Sequence, residues 1–251
     1  AGFRLLCIPP PDDRYPPVAK GTKRLFLCRH GQTELNRLGK IQGARVDEPL
    51  NQNGLKQAAF LGEAVKPYDL AFIASSKLTR AKQTAQAIRL THPQAAGDAI
   101  ALLNEVDFGA VSDGLALEEA RKITNKTYKL WTEGVVDARS PGGGESFVEV
   151  EARVREALKV LLEGCGDMES TLAVTHSSYL RITLSIALGW DLAKSKAQRI
   201  DNCSVSVIDF NALGQAKEVC INDVRHLGGI GVGVTNQFGG ESDRERQLVL
   251  V

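Results

Sequence analysis

Three short apolar runs in this chain each end abruptly in polar residues, and that pattern limits the folds open to it more than any other feature. Leu25-Phe26-Leu27-Cys28 stops at Arg29-His30-Gly31, the run from Leu70 to Ala74 leads into Ser75-Ser76, and Thr171-Leu172-Ala173-Val174-Thr175 ends at His176. Such runs suit buried strands and are too short for helices. Between them lie segments of helical period. One carries Leu55, Ala59, Gly62 and Val65, stopped by Pro67; a second carries Ala81, Thr84, Ala85 and Ile88, with Thr79 as its expected cap; a third carries Phe147, Val150, Val154, Leu158 and Leu161; a fourth runs from Tyr179 to Leu188. Cys203 to Phe210 reads as a further strand and Val219 to Val224 as a peripheral one. Strands alternating with helices predict an α/β layer fold with a mainly parallel central sheet.

Composition removes several classes of function. The 251 residues suit one large domain or two small ones. With 31 Lys plus Arg against 30 Asp plus Glu, the formal charge is +1, which offers no long-range attraction to nucleic acid or an anionic membrane. No apolar run approaches the length of a transmembrane helix. Five cysteines without a CxxC pair predict free thiols in a reducing compartment, the cytoplasm or an organelle after removal of a targeting segment. Five of the nine prolines fall between Pro9 and Pro17, so residues 1–22 are expected to form an extended arm, a linker remnant or a wrap held by Phe3, Leu5 and Leu6. The main domain is expected over 23–225 and a Gly-rich tail over 226–251. Gly228 to Gly233 lacks both GxGxxG spacing and a P-loop lysine.

In open α/β sheets the ligand crevice lies beyond the carboxyl ends of the strands. Arg29-His30, the stretch from Ser75 to Arg80, and His176-Ser177 all fall there. Two arginines can grip a phosphate through forked, charge-assisted hydrogen bonds. A neutral imidazole among them can attack phosphorus in line. A carboxylic acid is then needed to protonate the departing alkoxide, and Glu105 and Asp107 are both candidates. If that segment were a strand, both would face the same side.

The ordered set of motifs resembles the histidine phosphatase superfamily, also called phosphoglycerate mutase-like. Phe26-Leu27-Cys28-Arg29-His30-Gly31-Gln32-Thr33-Glu34-Leu35-Asn36 is similar to its signature. The resemblance continues through Gln42-Gly43, Asp47-Glu48-Pro49-Leu50, Gly54-Leu55-Lys56-Gln57-Ala58, the segment from Ser75 to Ala85, the segment from Leu103 to Gly109, Gly144-Glu145-Ser146 and Val174-Thr175-His176-Ser177. It spans about residues 23–210 and implies a three-layer α/β/α sandwich. It implies His30 as the nucleophile that becomes phosphorylated, with Arg29, Arg80 and His176 around the phosphoryl group. Asn36 would donate to a phosphate oxygen, the backbone at Gln42-Gly43 would edge the pocket, and Glu105 would be the acid, with Asp107 the runner-up. Neither a metal nor a cofactor is implied. Where many members have Gly after the second histidine this chain has Ser177, whose backbone N–H would still serve while its side chain narrows the pocket.

Gly39-Lys40-Ile41-Gln42-Gly43 and the moderate length of the 109–144 segment resemble the phosphatase branch. A mutase or a non-catalytic phospho-ligand binder is the alternative. The 109–144 segment is the expected substrate lid. There Lys122, Lys126, Lys129 and Arg139 either meet a second anionic group or form a solvated face, and Tyr128 and Trp131 either pack on substrate or on the core, the solvated face and the core being favoured. Sugar phosphates, phosphoglycerate-like acids and phosphoserine all fit as substrates, and a homodimer is the base-rate expectation.

Overall fold

The first strand, β1 (Lys23–Arg29), sits at the centre of the sheet, buried on both faces, which is why its sequence is a continuous apolar run rather than an alternating one. The computed structural model describes residues 14–111, 113–164, 166 and 170–228. Within these, β1 is followed by α1 (Glu34–Arg37), α2 (Gln52–Val65), β2 (Phe72–Ser75), α3 (Thr79–Arg89), α4 (Leu117–Thr132), α5 (Phe147–Gly164), β3 (Ser170–Thr175), α6 (Ser177–Leu188), α7 (Leu192–Ala197), β4 (Val205–Phe210) and β5 (Ala216–Asp223). Alternate residues of β1 feed two cores. Phe26 and Cys28 pack with Leu61 and Val65 of α2 and Ala81, Ala85 and Ile88 of α3. Leu25 and Leu27 share the opposite core with Val150, Val154 and Leu161 of α5 and Leu180 and Ile182 of α6. The result is a three-layer α/β/α sandwich.

The sheet order is β2-β3-β1-β4-β5. β1 and β2 both pair parallel with β3, in a register that brings Arg29 beside Thr175 and Ser75 beside Val174. The carboxyl ends of three strands therefore meet at one edge. The expectation of a mainly parallel sheet needs refining here, because β4 runs antiparallel to both β1 and β5 and makes the sheet mixed. Its reversal carries the segment before Val205 to the same edge, where Ser204 O accepts from Arg29 N–H at 3.2 Å.

Two local devices differ from expectation. Thr79 does not cap α3. Leu78 holds the cap position, and the carboxylate of Asp47 accepts from both the backbone N–H (2.5 Å) and the hydroxyl (2.9 Å) of Thr79. A carboxylate at a helix start satisfies free N–H groups and meets the positive end of the helix dipole. The segment from Phe108 to Gly144, weakly periodic in sequence, holds the four-turn helix α4. Its Tyr128 and Trp131 are buried in the core, while Lys122, Lys126 and Lys129 are exposed.

Of the proline-rich arm, Phe3, Leu5 and Leu6 lie outside the described residues, as does the tail from Gly229. Tyr15 is buried against Phe26 and Tyr68, and its hydroxyl donates to Asp223 at 2.9 Å. Next to it, Arg24 is enclosed. It makes a two-pronged pair with Asp209 at 2.7 and 2.8 Å and donates to Pro16 O at 2.7 Å. Removing one member of such a pair leaves the other charge desolvated, so Arg24→Ala is expected to lower unfolding free energy by about 3 kcal/mol, read from urea midpoints at constant slope.

Candidate active site

His30 follows the last residue of β1, and its position is fixed from several sides. Its N–H donates to Thr175 O at 3.0 Å, and its carbonyl accepts from Asn202 Nδ2 at 3.0 Å. The next residue must be small. A Cβ on Gly31 would stand 2.6 Å from Gly54 O, and one on Gly54 would stand 2.0 Å from Gln32 O. The first turn of α2 and the His30 loop thus touch backbone to backbone, which accounts for glycine at both positions.

The two histidine rings lie 5.0 Å apart, centroid to centroid, and each has its tautomer set by a neighbour. His30 Nδ1 is 2.7 Å from Gly31 O. A carbonyl only accepts, so Nδ1 carries the hydrogen and Nε2 keeps its lone pair. For His176 the pattern is reversed. Arg80 Nε, always a donor, reaches its Nδ1 at 3.2 Å, leaving the hydrogen of the neutral ring on Nε2. That Nε2 is buried without a hydrogen-bond partner among the described residues. One imidazole therefore offers a lone pair and the other an N–H.

Burial, then the charges of Arg80 and Arg29, holds His30 well below the usual imidazole range; burial and Arg80 do the same to His176. Burial also lowers both Arg29 and Arg80 to about 10, so each remains a cation at neutral pH. Arg80 is further locked by Val46 O at 2.6 Å and Gly43 O at 3.3 Å, and Arg29 by Ile200 O at 2.8 Å. Asn36 is aimed by its own helix cap. Thr33 and Asn36 exchange hydrogen bonds at the start of α1, and Asn36 Oδ1 also accepts from Asn202 Nδ2 at 3.2 Å. Its Nδ2 is left buried and without a partner among the described residues, a second donor for an anion.

Glu105 meets the start of α6. Oε1 accepts from Val106 and Tyr179 N–H at 2.9 Å each, and Oε2 accepts from Ser178 N–H at 3.2 Å. Burial outweighs these hydrogen bonds and raises its pKa above the usual carboxylate value, which brings the neutral acid within reach. Asp107 is not its equal. The segment is an irregular loop rather than a strand, and Asp107 turns outward, where both its oxygens accept from Arg45 Nε at 2.9 and 3.0 Å.

Three other expectations are modified. The Gly43 N–H, expected to edge the pocket, already donates to Asp113 Oδ1 at 2.8 Å. Ser177 Oγ accepts from Arg181 Nη1 at 2.7 Å, one helical turn along α6, so its hydroxyl is engaged by that guanidinium. Gln42 Nε2 donates to Thr33 Oγ1 at 2.6 Å and so braces the cap that aims Asn36. Asn202, which braces both His30 and Asn36, was missed from sequence because it precedes a strand rather than following one. Only knowledge that β4 is reversed would have pointed to it.

The buried imidazoles bear on stability as well. His30 and His176 have lowered values, and His226 is lowered to about 4, chiefly by burial. The unfolded chain takes up protons near the ordinary value of 6.5 that the folded chain refuses, so this contribution is complete above 6.5 and is lost as pH falls below it. Each such group removes about 1.4 kcal/mol per pH unit within its window. The raised Glu105 acts in the opposite sense at lower pH. The melting temperature is therefore expected to fall steeply between pH 6.5 and 5; a flat profile in calorimetry would show that the imidazoles accept protons in the fold.

Residues 25–223 match the histidine phosphatase superfamily (branch 1). The chain belongs to the histidine phosphatase superfamily. Among similar proteins is "Probable phosphoglycerate mutase GpmB" of Salmonella choleraesuis (strain SC-B67), 35% identical over 219 residues, covering 81% of this chain and 94% of the relative. Among solved structures, Bacillus stearothermophilus YhfR superposes with a TM-score of 0.70 at 25% identity, covering 82% of this chain and 99% of that one. Phosphoserine phosphatase from Entamoeba histolytica, solved in complex with 3-phosphoglyceric acid, gives 0.69 at 26%, covering 82% and 99%. This histidine phosphatase is thus a phosphoryl-transfer enzyme acting on a small phosphorylated metabolite. Among the described residues, no three His, Cys, Asp or Glu side chains are grouped to hold a metal, and no helix is long and apolar enough to cross a membrane. Cys28, Cys203 and Cys220 are free thiols.

Proposed function

We propose that this protein hydrolyses small phosphomonoesters through a phosphohistidine formed on His30, without a metal. The observation that carries this reading is the tautomer pair: a lone pair on His30 Nε2 and an N–H on His176 Nε2, on rings 5.0 Å apart. Phosphorus attacked by His30 Nε2 passes through a state whose equatorial oxygens carry negative charge. Arg29, Arg80, His176 Nε2–H and Asn36 Nδ2 are preset to receive them, so little reorganisation is needed. As the ester P–O bond breaks, the proton of Glu105 goes to the leaving oxygen. The resulting carboxylate then takes a proton from water as that water attacks the phosphohistidine, releasing phosphate and restoring both groups.

Hydrolysis is favoured over mutase chemistry by the state of the lid. A phosphoglycerate mutase has to hold a substrate carboxylate as well as its phosphate. Lys122, Lys126 and Lys129 face solvent, and Arg139 is committed to Glu149 at 2.6 Å and to Gly144 O at 2.9 Å. The name of the Salmonella relative supports the second reading, phosphoglycerate isomerisation. Product analysis separates them. Incubation with a panel of phosphorylated metabolites in chelator is expected to release inorganic phosphate, with inhibition by vanadate. Isomerised phosphoglycerate with little free phosphate would favour the mutase, and neither product would favour a binding protein.

A further inference from the structure

The loop leading into α4 brings a carboxylate to the rim of the site. Asp113 Oδ1 holds the Gly43 N–H at 2.8 Å, and Gly43 O in turn receives Arg80 Nη2 at 3.3 Å, so a single residue separates this carboxylate from the phosphoryl-binding guanidinium. A Cβ on Gly43 would lie 2.8 Å from the same oxygen, which shows how closely the Asp113 carboxylate is pressed onto the Gly43 backbone. Asp113 Oδ2 is buried with no hydrogen-bond partner among the described residues. The cations nearby are already engaged: Arg45 with Asp107 and Gly143 O, Arg80 with His176, Val46 O and Gly43 O.

A carboxylate oxygen without a donor, beside a pocket for a dianion, is costly in the free enzyme and repels a second negative group on the substrate. It is relieved when the substrate itself brings a donor. On these grounds we infer that Asp113 is a specificity-determining residue, selecting phosphomonoesters that carry a hydroxyl or ammonium group close to the phosphate and rejecting those that carry a carboxylate there. The inference rests on the phosphomonoesterase reading above and narrows its substrate class.

Four two-carbon esters differing in a single group test it: phosphoethanolamine, 2-hydroxyethyl phosphate, ethyl phosphate and phosphoglycolate. Relative to ethyl phosphate, kcat/KM is expected to rise for the first two and fall for the last, with a spread on the order of tenfold or more between ammonium and carboxylate. In Asp113→Asn, which keeps an oxygen for Gly43 N–H but loses the charge, that spread is expected to collapse, mainly through KM. Calorimetric binding of the same esters to His30→Ala, alone and combined with Asp113→Asn, reads the preference without turnover. An enzyme inactive on all four esters would count against the hydrolase reading, while the binding series would still judge Asp113. Equal affinity for phosphoethanolamine and phosphoglycolate, or a spread unchanged by Asp113→Asn, would overturn the inference.

Discussion

His30→Ala is expected to abolish phosphate release, with kcat/KM falling roughly 10⁴-fold or more on every ester tested. The size follows from what the remaining site can do. Arg29, Arg80, His176 and Asn36 still surround a phosphate, so binding survives, but no other buried group there combines a lone pair with a position at the strand edge. Arg29 and Arg80 are cations, and the ring of His176 has its lone pair turned to Arg80. The variant should retain affinity for vanadate or a substrate ester in calorimetry while losing turnover. It should also lose any acid-labile phosphoryl group trapped by rapid quench. Residual activity within tenfold of the parent would mean that water attacks phosphorus directly and that His30 only binds.

Glu105→Gln is expected to separate substrates by leaving group. An alkoxide needs a proton as it departs, so alkyl phosphates should lose roughly 10²- to 10³-fold in kcat. p-Nitrophenolate leaves without one, and its release should change by less than about tenfold. The amide oxygen can keep the N–H groups of Val106 and Tyr179, and only the 3.2 Å bond from Ser178 N–H is given up, so the start of α6, and with it His176, should stay in place. Asp107→Asn provides the contrast. Its loss loosens Arg45 at the rim and should not produce the leaving-group pattern. Equal losses on both kinds of ester in Glu105→Gln would remove Glu105 from the proton-transfer role.

The convergence of Arg29, His30, Ser75 and His176 was legible because each lies at the carboxyl end of an apolar run, and parallel pairing in this register puts those ends together. The direction of β4 was not legible, since a strand's polarity leaves no trace in its own residues, and Asn202 was hidden with it. α4 escaped for a different reason. Its inward face runs Ala120, Thr124, Thr127, Tyr128 and Trp131, and the two threonines read as polar although both are buried. Thr124 bonds Ala120 O at 3.1 Å and Thr127 bonds Ser140 Oγ at 3.0 Å. Buried hydroxyls satisfied locally still leave α4 an apolar face, but read across the whole 108–144 segment that period is diluted by the irregular residues on either side. Asp113 escaped because its importance lies in a contact with backbone seventy residues earlier, which no side-chain pattern announces.

Among the described strands the central one is synthesised first, yet both of its neighbours come from residue 170 onward. A nascent chain leaving the ribosome would thus carry its reactive imidazole without either neighbouring strand until residues 170–210 had followed. Asn202 and Ser204, which hold the His30 carbonyl and the Arg29 N–H, have to clear the exit tunnel before any phosphate site can form. Activity should therefore appear late and all at once during synthesis, and a chain released before residue 204 should be inert.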